Sequence, residues 1–241
     1  MSIPLDYIIN DNRTPKELDL KSFSGFSTKE IYKNLKQNII NNQIEEACHW
    51  TIELILSLQT SKVYDLFLSI ITKNINICNP KIPTKLFNRY TTYITSKLSN
   101  NEARNSQVIR NHLMELCVIV TNSKKTKSLS LTKIKDEEFS IDTILSKTMA
   151  PSNNIDMYFK IYDPEEIKVI LNEYLHNLTT KNYEGLVYWL SWLINYEKNL
   201  LKKKQKLLCS RRYNSGIDEK FHNDIVWFIW EIIVLESNKL L

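Results

Sequence analysis

The sequence predicts an all-α protein of about nine helices, layered as helical hairpins in two related, solenoid-like halves. Three observations carry this. The 241 residues include only three glycines, Gly25, Gly185 and Gly216, whereas the tight turns of a sheet protein draw on residues that tolerate positive φ. No Asn-Gly or Asp-Gly hairpin signal occurs. Apolar residues recur at helical spacing along most of the chain.

Taken in order, residues 1–26 carry Pro4, Pro15 and Gly25 and read as an extended N-terminal segment. Ser27 or Thr28 is a natural helix cap, with Glu30 in the first turn. Ile31, Leu35, Ile39 and Ile40 follow at helical spacing. The next stretch, IEEACHWTIELILSL, sets Ala47, Trp50, Leu54, Ile55 and Leu58 on one face. SKVYDLFLSIITKNI is apolar on most sides and predicts an interior helix. NPKIP, Asn79 to Pro83, is a break, because each proline disfavours the helical region for its predecessor. Helices are then expected from about Pro83 to Leu98 and from Glu102 to Thr121, which closes a first helical half over 27–121.

Residues 122–154 read as a basic linker followed by a short helix, EEFSIDTILSKTM. A second helical half, 155–241, holds expected helices at roughly 155–162, 164–178, 182–210 and 218–238, with Asp218 as the cap of the last. Glu30 to Ile55 resembles Glu166 to Ile194: each has a Glu-Ile start, a helix, a polar turn and a second helix bearing tryptophan. Trp50 then corresponds to Trp189, and the three extra residues of the second copy are assigned to its turn.

Composition narrows function more than it defines it. Three glycines cannot build a phosphate-cradling loop of the Walker or dinucleotide type. Net charge is +5, and neither half is a polycation, so the overall field argues little for nucleic acid. Cys48, Cys78, Cys117 and Cys209 form no CxxC pair; scattered cysteines point to a reducing, intracellular setting. His49, His112, His176 and His222 show no metal-ligand spacing. No nucleophile elbow, HExxH or kinase set is present, so no catalytic residue, metal or cofactor is expected. The N-terminus lacks the pattern of a signal peptide. Ile225 to Leu235 is too short to span a bilayer. Asn177-Leu-Thr fits a glycosylation sequon, which a cytosolic chain would never use. Heavy use of Ile, Asn, Lys and Leu is what an AT-rich genome produces.

One local charge feature stands out. KNLLKKKQKLLCSRR contains Lys198, Lys202, Lys203, Lys204, Lys206, Arg211 and Arg212 and no acid. Continued as one helix from Asn182, it places Glu197, Lys204 and Arg211 in a charged file along an apolar stripe. It is either a solvated helix end whose lysines favour the helix dipole, or a patch for nucleic-acid phosphates or a protein partner. Lys124, Lys125, Lys127, Lys133 and Lys135 form a second basic run. Trp189/Trp192 and Trp227/Trp230 each stand three apart and read as core pairs.

The segments EEACHWTIELI, NICNPKIP, YWLSWLI with its Lys-rich continuation, and DIVWFIWEII together resemble an uncharacterised all-helical protein family of the nucleocytoplasmic large DNA viruses, the giant viruses. The resemblance runs from about residue 27. It implies a host cytoplasm or viral factory setting, and none of its motifs is a catalytic signature. A weaker likeness links residues 45–83 to the helical collar of clamp-loader-type ATPases, without their ATPase module. The expected function is a non-enzymatic scaffold or adaptor that binds protein. The alternative is a nucleic-acid-binding accessory protein using the basic helix.

Overall fold

The computed structural model describes residues 8–128, 131–210, 212 and 224–239. It is all-α: eleven α-helices and no strand among the described residues. The chain forms two compact units that divide at Ser128/Leu129.

The first unit holds α1 (Pro15–Leu20), α2 (Thr28–Ile40), α3 (Ile44–Leu56), α4 (Thr60–Ile70), α5 (Ile82–Thr95), α6 (Asn100–Asn105) and α7 (Gln107–Asn122). Helix α3 packs against both α2 and α7. Ile31, Leu35, Ile39, Leu54, Leu113 and Leu116 are buried between them. Ser27 caps α2 through Glu30 N. The segment read as an extended lead-in contains α1, because Thr14 and Glu17 form a reciprocal capping box around Pro15. The helix expected over 102–121 is two helices. Ser99 caps α6 and Ser106 caps α7, and each serine draws the backbone out of the helix at its own position.

The second unit holds α8 (Ile141–Lys147), α9 (Lys168–Thr179), α10 (Tyr183–Lys202) and α11 (Ile225–Asn238). Trp189, Trp192, Trp227 and Trp230 are all buried, so both tryptophan pairs are core. The last pair packs edge to face at 4.6 Å. Residues 155–158, expected to lie in a helix, form a single 3₁₀ turn. The described part of the expected linker is no free tether. Thr132 N donates to Ser191 Oγ (3.0 Å), Trp192 Nε1 to the Glu138 carbonyl (2.9 Å), and Met149 N and Ala150 N to Glu173 Oε1 (3.0 and 2.8 Å). Such bonds join backbone to side chain and need no apolar periodicity, so the strap is invisible to pattern reading.

The α2–α3 and α9–α10 hairpins close on the same turn. Asn42 (φ 59°) and Lys181 (φ 58°) adopt the left-handed conformation. The following amides, Gln43 N and Asn182 N, bond to the Asn38 and Asn177 carbonyls, both at 2.9 Å. This is a Schellman ending made without glycine. Counted from that residue, Trp50 and Trp189 fall at the same position, as do the buried pair Ile31 and Ile170. The two turns have equal length. The three extra residues lie instead before α9, in the 3₁₀ turn Glu165–Ile167, and the shared Glu-Ile start is no structural match. Leu58, Lys97 and Lys204 end their helices in the same left-handed way. A residue with a Cβ there costs about 1–2 kcal/mol. Lys181→Gly is therefore expected to raise stability by about 1 kcal/mol, read as a higher urea midpoint at unchanged m-value.

Gly185 occupies a different kind of position. A Cβ there would lie 2.0 Å from Asn177 Oδ1. Asn177 is buried; its amide donates to the Glu173 carbonyl (2.7 Å) and accepts from Asn182 Nδ2 (2.7 Å). The sequon asparagine is thus committed to closing the hairpin.

Candidate nucleic-acid and partner interface

Helix α10 carries most of the basic candidates. Asn182 caps it through Gly185 N, and Trp189, Leu190 and Leu193 bury its inner face. It does not run on to residue 210. It ends at Lys202, where Lys204 turns left-handed (φ 60°) and Gln205 N bonds back to the Leu200 carbonyl at 2.9 Å. Beyond the turn the chain alternates, with Lys206 and Leu208 exposed and Leu207 and Cys209 buried. The expected charged file of Glu197, Lys204 and Arg211 is therefore not formed as a helical stripe. Leu207 and Leu208 extend the helical spacing past the true end, which is what misleads the sequence reading. Arg211 lies outside the described residues.

The remaining candidates separate into two kinds. Lys198, Lys202, Lys203, Lys204 and Lys206 are exposed, and none makes an ion pair among the described residues. Arg212 is the opposite. Its side chain is fully buried; it pairs with Asp163 Oδ2 and Glu231 Oε2, both at 2.7 Å, and lies 3.8 Å over the Phe228 ring. It is a core residue and no part of a surface patch.

The second basic run divides in the same way. Lys125 is buried and donates to Asn42 Oδ1 (2.9 Å) and to the Thr121 and Ser123 carbonyls (both 2.7 Å). It completes the C-terminal end of α7, and burial lowers its pKa. Lys124 and Lys127 are exposed in the first unit, and Lys133 and Lys135 are exposed in the second.

Beside the end of α10 lies a groove of about 470 Å³. Its wall includes Phe139 and Tyr196, with Lys202 and Lys203 at the side. Tyr196 stacks on Trp192 (4.9 Å between centroids, 22° between planes) and donates its hydroxyl to Glu166 Oε1 at 3.0 Å. Burial, reinforced by Glu166, raises the Tyr196 pKa to about 12. A second groove of about 260 Å³ at the start of α10 is lined by Lys147, Met149 and Tyr188 among others. Among the described residues, no serine, threonine, cysteine or histidine lines either groove. Among the described residues no three His, Cys, Asp or Glu side chains gather as metal ligands, and no helix is long and apolar enough to cross a membrane.

Glu197 faces inward and accepts from Ile225 N at 3.0 Å, holding the first turn of α11. Burial raises its pKa from 4.5 to about 7, Asp224 adds to the rise, and the Ile225 bond opposes it. Between those two pH values the folded chain keeps a proton that the unfolded chain has lost. Stability contributed by the neutral form therefore declines as pH rises through this window. Glu197→Gln keeps an acceptor for Ile225 and is expected to flatten that decline, measured by urea unfolding at about pH 5 and about pH 8.

No protein-family model matches the chain, and no curated protein or solved structure matches it either.

Proposed function

We propose that the chain is a non-enzymatic helical adaptor that docks a protein partner on the outer face of α8. One observation carries the reading. Ile141, Leu145 and Met149 are 63%, 56% and 74% exposed, while Ile144 on the same helix is buried. Ile141 and Leu145 are one turn apart and form an apolar ridge. The helix beneath is firmly held: Ser140 caps it, and Lys147 pairs with Glu138 at 2.7 Å and lies 4.3 Å over the Tyr188 ring. A fixed ridge of large apolar side chains is the form that protein interfaces take. The likeness of four segments to giant-virus proteins is our ground for setting this adaptor in the host cytoplasm or a viral factory.

The test is affinity capture from cells expressing the protein, with Ile141→Asp combined with Leu145→Asp as the comparison. These exposed sites tolerate the change with little effect on folding, so loss of co-purifying proteins is the expected result. Retention of the same proteins would remove the ridge from the reading.

A second reading, nucleic-acid accessory protein, is favoured by a separate observation. Five exposed lysines with no ion-pair partner among the described residues surround the end of α10, and such side chains can displace counterions from phosphates.

A further inference from the structure

The groove beside the end of α10 combines two chemistries. One wall is aromatic: Phe139 lies 5.1 Å from Trp192 and 6.0 Å from Tyr196, and Tyr196 continues the Trp192 stack. The other is cationic, through Lys202 and Lys203. Asp136 and Asn199 also line it, offering one acceptor-only group and one amide that both donates and accepts. A volume of about 470 Å³ is within the range of small-ligand sites.

We propose that this groove seats one unstacked base of a single-stranded nucleic acid. The inference rests on the second reading above and names its site. The base lies against the exposed parts of the Phe139 and Tyr196 rings, extending the aromatic stack. Asn199 and Asp136 meet its hydrogen-bonding edge, Asp136 taking an amino group. Lys202 and Lys203 neutralise the adjoining phosphate. Lys198, Lys204 and Lys206 lie outside the groove and carry the strand onward, which a free nucleotide would not need. Duplexes are excluded because their bases are already stacked and paired. The four-carbon stems of Lys202 and Lys203 and the Leu200 side chain supply apolar contact around the ring.

The test uses the full chain and a single-stranded oligonucleotide of about ten residues containing 2-aminopurine, whose fluorescence is quenched when it stacks. The comparison ligands are the same sugar-phosphate backbone without bases, the matching duplex, and adenosine monophosphate. The expected result is salt-dependent binding with quenching, at least about tenfold tighter than the abasic backbone, the duplex or the mononucleotide. Asn199→Met occupies the groove without adding an aromatic face, leaves every lysine in place, and should abolish the quenching. Lys202→Glu with Lys206→Glu should abolish binding while circular dichroism stays unchanged.

Four results would overturn the proposal. Equal affinity for the abasic backbone, or quenching that survives Asn199→Met, would refute the groove as a base site. If the double lysine variant still lost binding, the second reading would stand without it. Equally tight binding of adenosine monophosphate would assign the groove to a free nucleotide and refute the strand. No binding of any ligand at low salt would refute both the groove and the second reading.

Discussion

Arg212→Ala is expected to destabilise the second unit by about 3–5 kcal/mol, whereas Lys206→Ala should change stability by no more than about 0.5 kcal/mol. The two residues belong to one basic run, and only their surroundings differ. Arg212 hydrogen-bonds Asp163, lies in ion-pair range of Glu231, donates to the Tyr158 and Ser210 carbonyls, and stacks on Phe228. Its removal leaves the buried Asp163 carboxyl without its guanidinium partner; among the described residues the Ser210 and Lys160 amides still donate to it. That uncompensated charge, more than the lost pair, sets the size of the effect. Asp163→Asn should be nearly as damaging, and the double variant Arg212→Ala with Asp163→Asn less damaging than the sum of the two. A double-mutant cycle by urea unfolding measures this, and an additive cycle would mean that the pair does not act as a unit.

The second large effect is expected at Glu53. This buried side chain of α3 accepts from Ser22 Oγ, from Ser24 N at 2.7 Å and from Ser24 Oγ at 2.8 Å. Beside it, Ser57 Oγ takes the Phe23 amide at 2.9 Å. The two residues grip the turn that joins α1 to α2, where Gly25 supplies a φ of 92°. Bonds to a charged acceptor are worth about 1.5–3 kcal/mol each and do not simply add. Glu53→Ala should therefore cost about 3 kcal/mol, and Glu53→Gln, which keeps one acceptor oxygen, about half of that. Hydrogen exchange at Ser24 should rise in both variants. Unchanged protection there would show that the turn holds without the carboxylate.

These two sites mark where sequence reading stops. The start of α2 was legible because a cap is local: Ser27 sits three residues from the amide it accepts; Thr14, Ser99 and Ser106 cap just as locally, but no separate apolar run marks a fresh start behind them. The tryptophan pairs were legible because apolar spacing on α10 and α11 left them no polar face. Arg212, Lys125 and Glu53 were not legible. A charge declares its type in the sequence and its partner only in the fold. Arg212 meets Asp163 across 49 positions of chain and Glu53 meets Ser24 across 29. The end of α10 was missed because a left-handed lysine carries none of the glycine signal by which such an ending is recognised. Of the candidate surface, the exposed lysines of 198–206 were visible as composition. The aromatic wall was not, since Phe139 is brought to Tyr196 by a strap whose bonds leave no pattern.

The contact between Gly185 and Asn177 also constrains how the sequence can drift. A methyl group at 185 collides with an amide that closes the α9–α10 hairpin, so that change alone passes through a damaged intermediate. Shortening Asn177 first sacrifices one bridge and clears the space, after which a side chain at 185 restores helix propensity. The order of the two steps therefore matters. Random libraries selected for folding should yield replacements at 185 chiefly on backgrounds already altered at 177, which makes the pair a case of sign epistasis written into one turn.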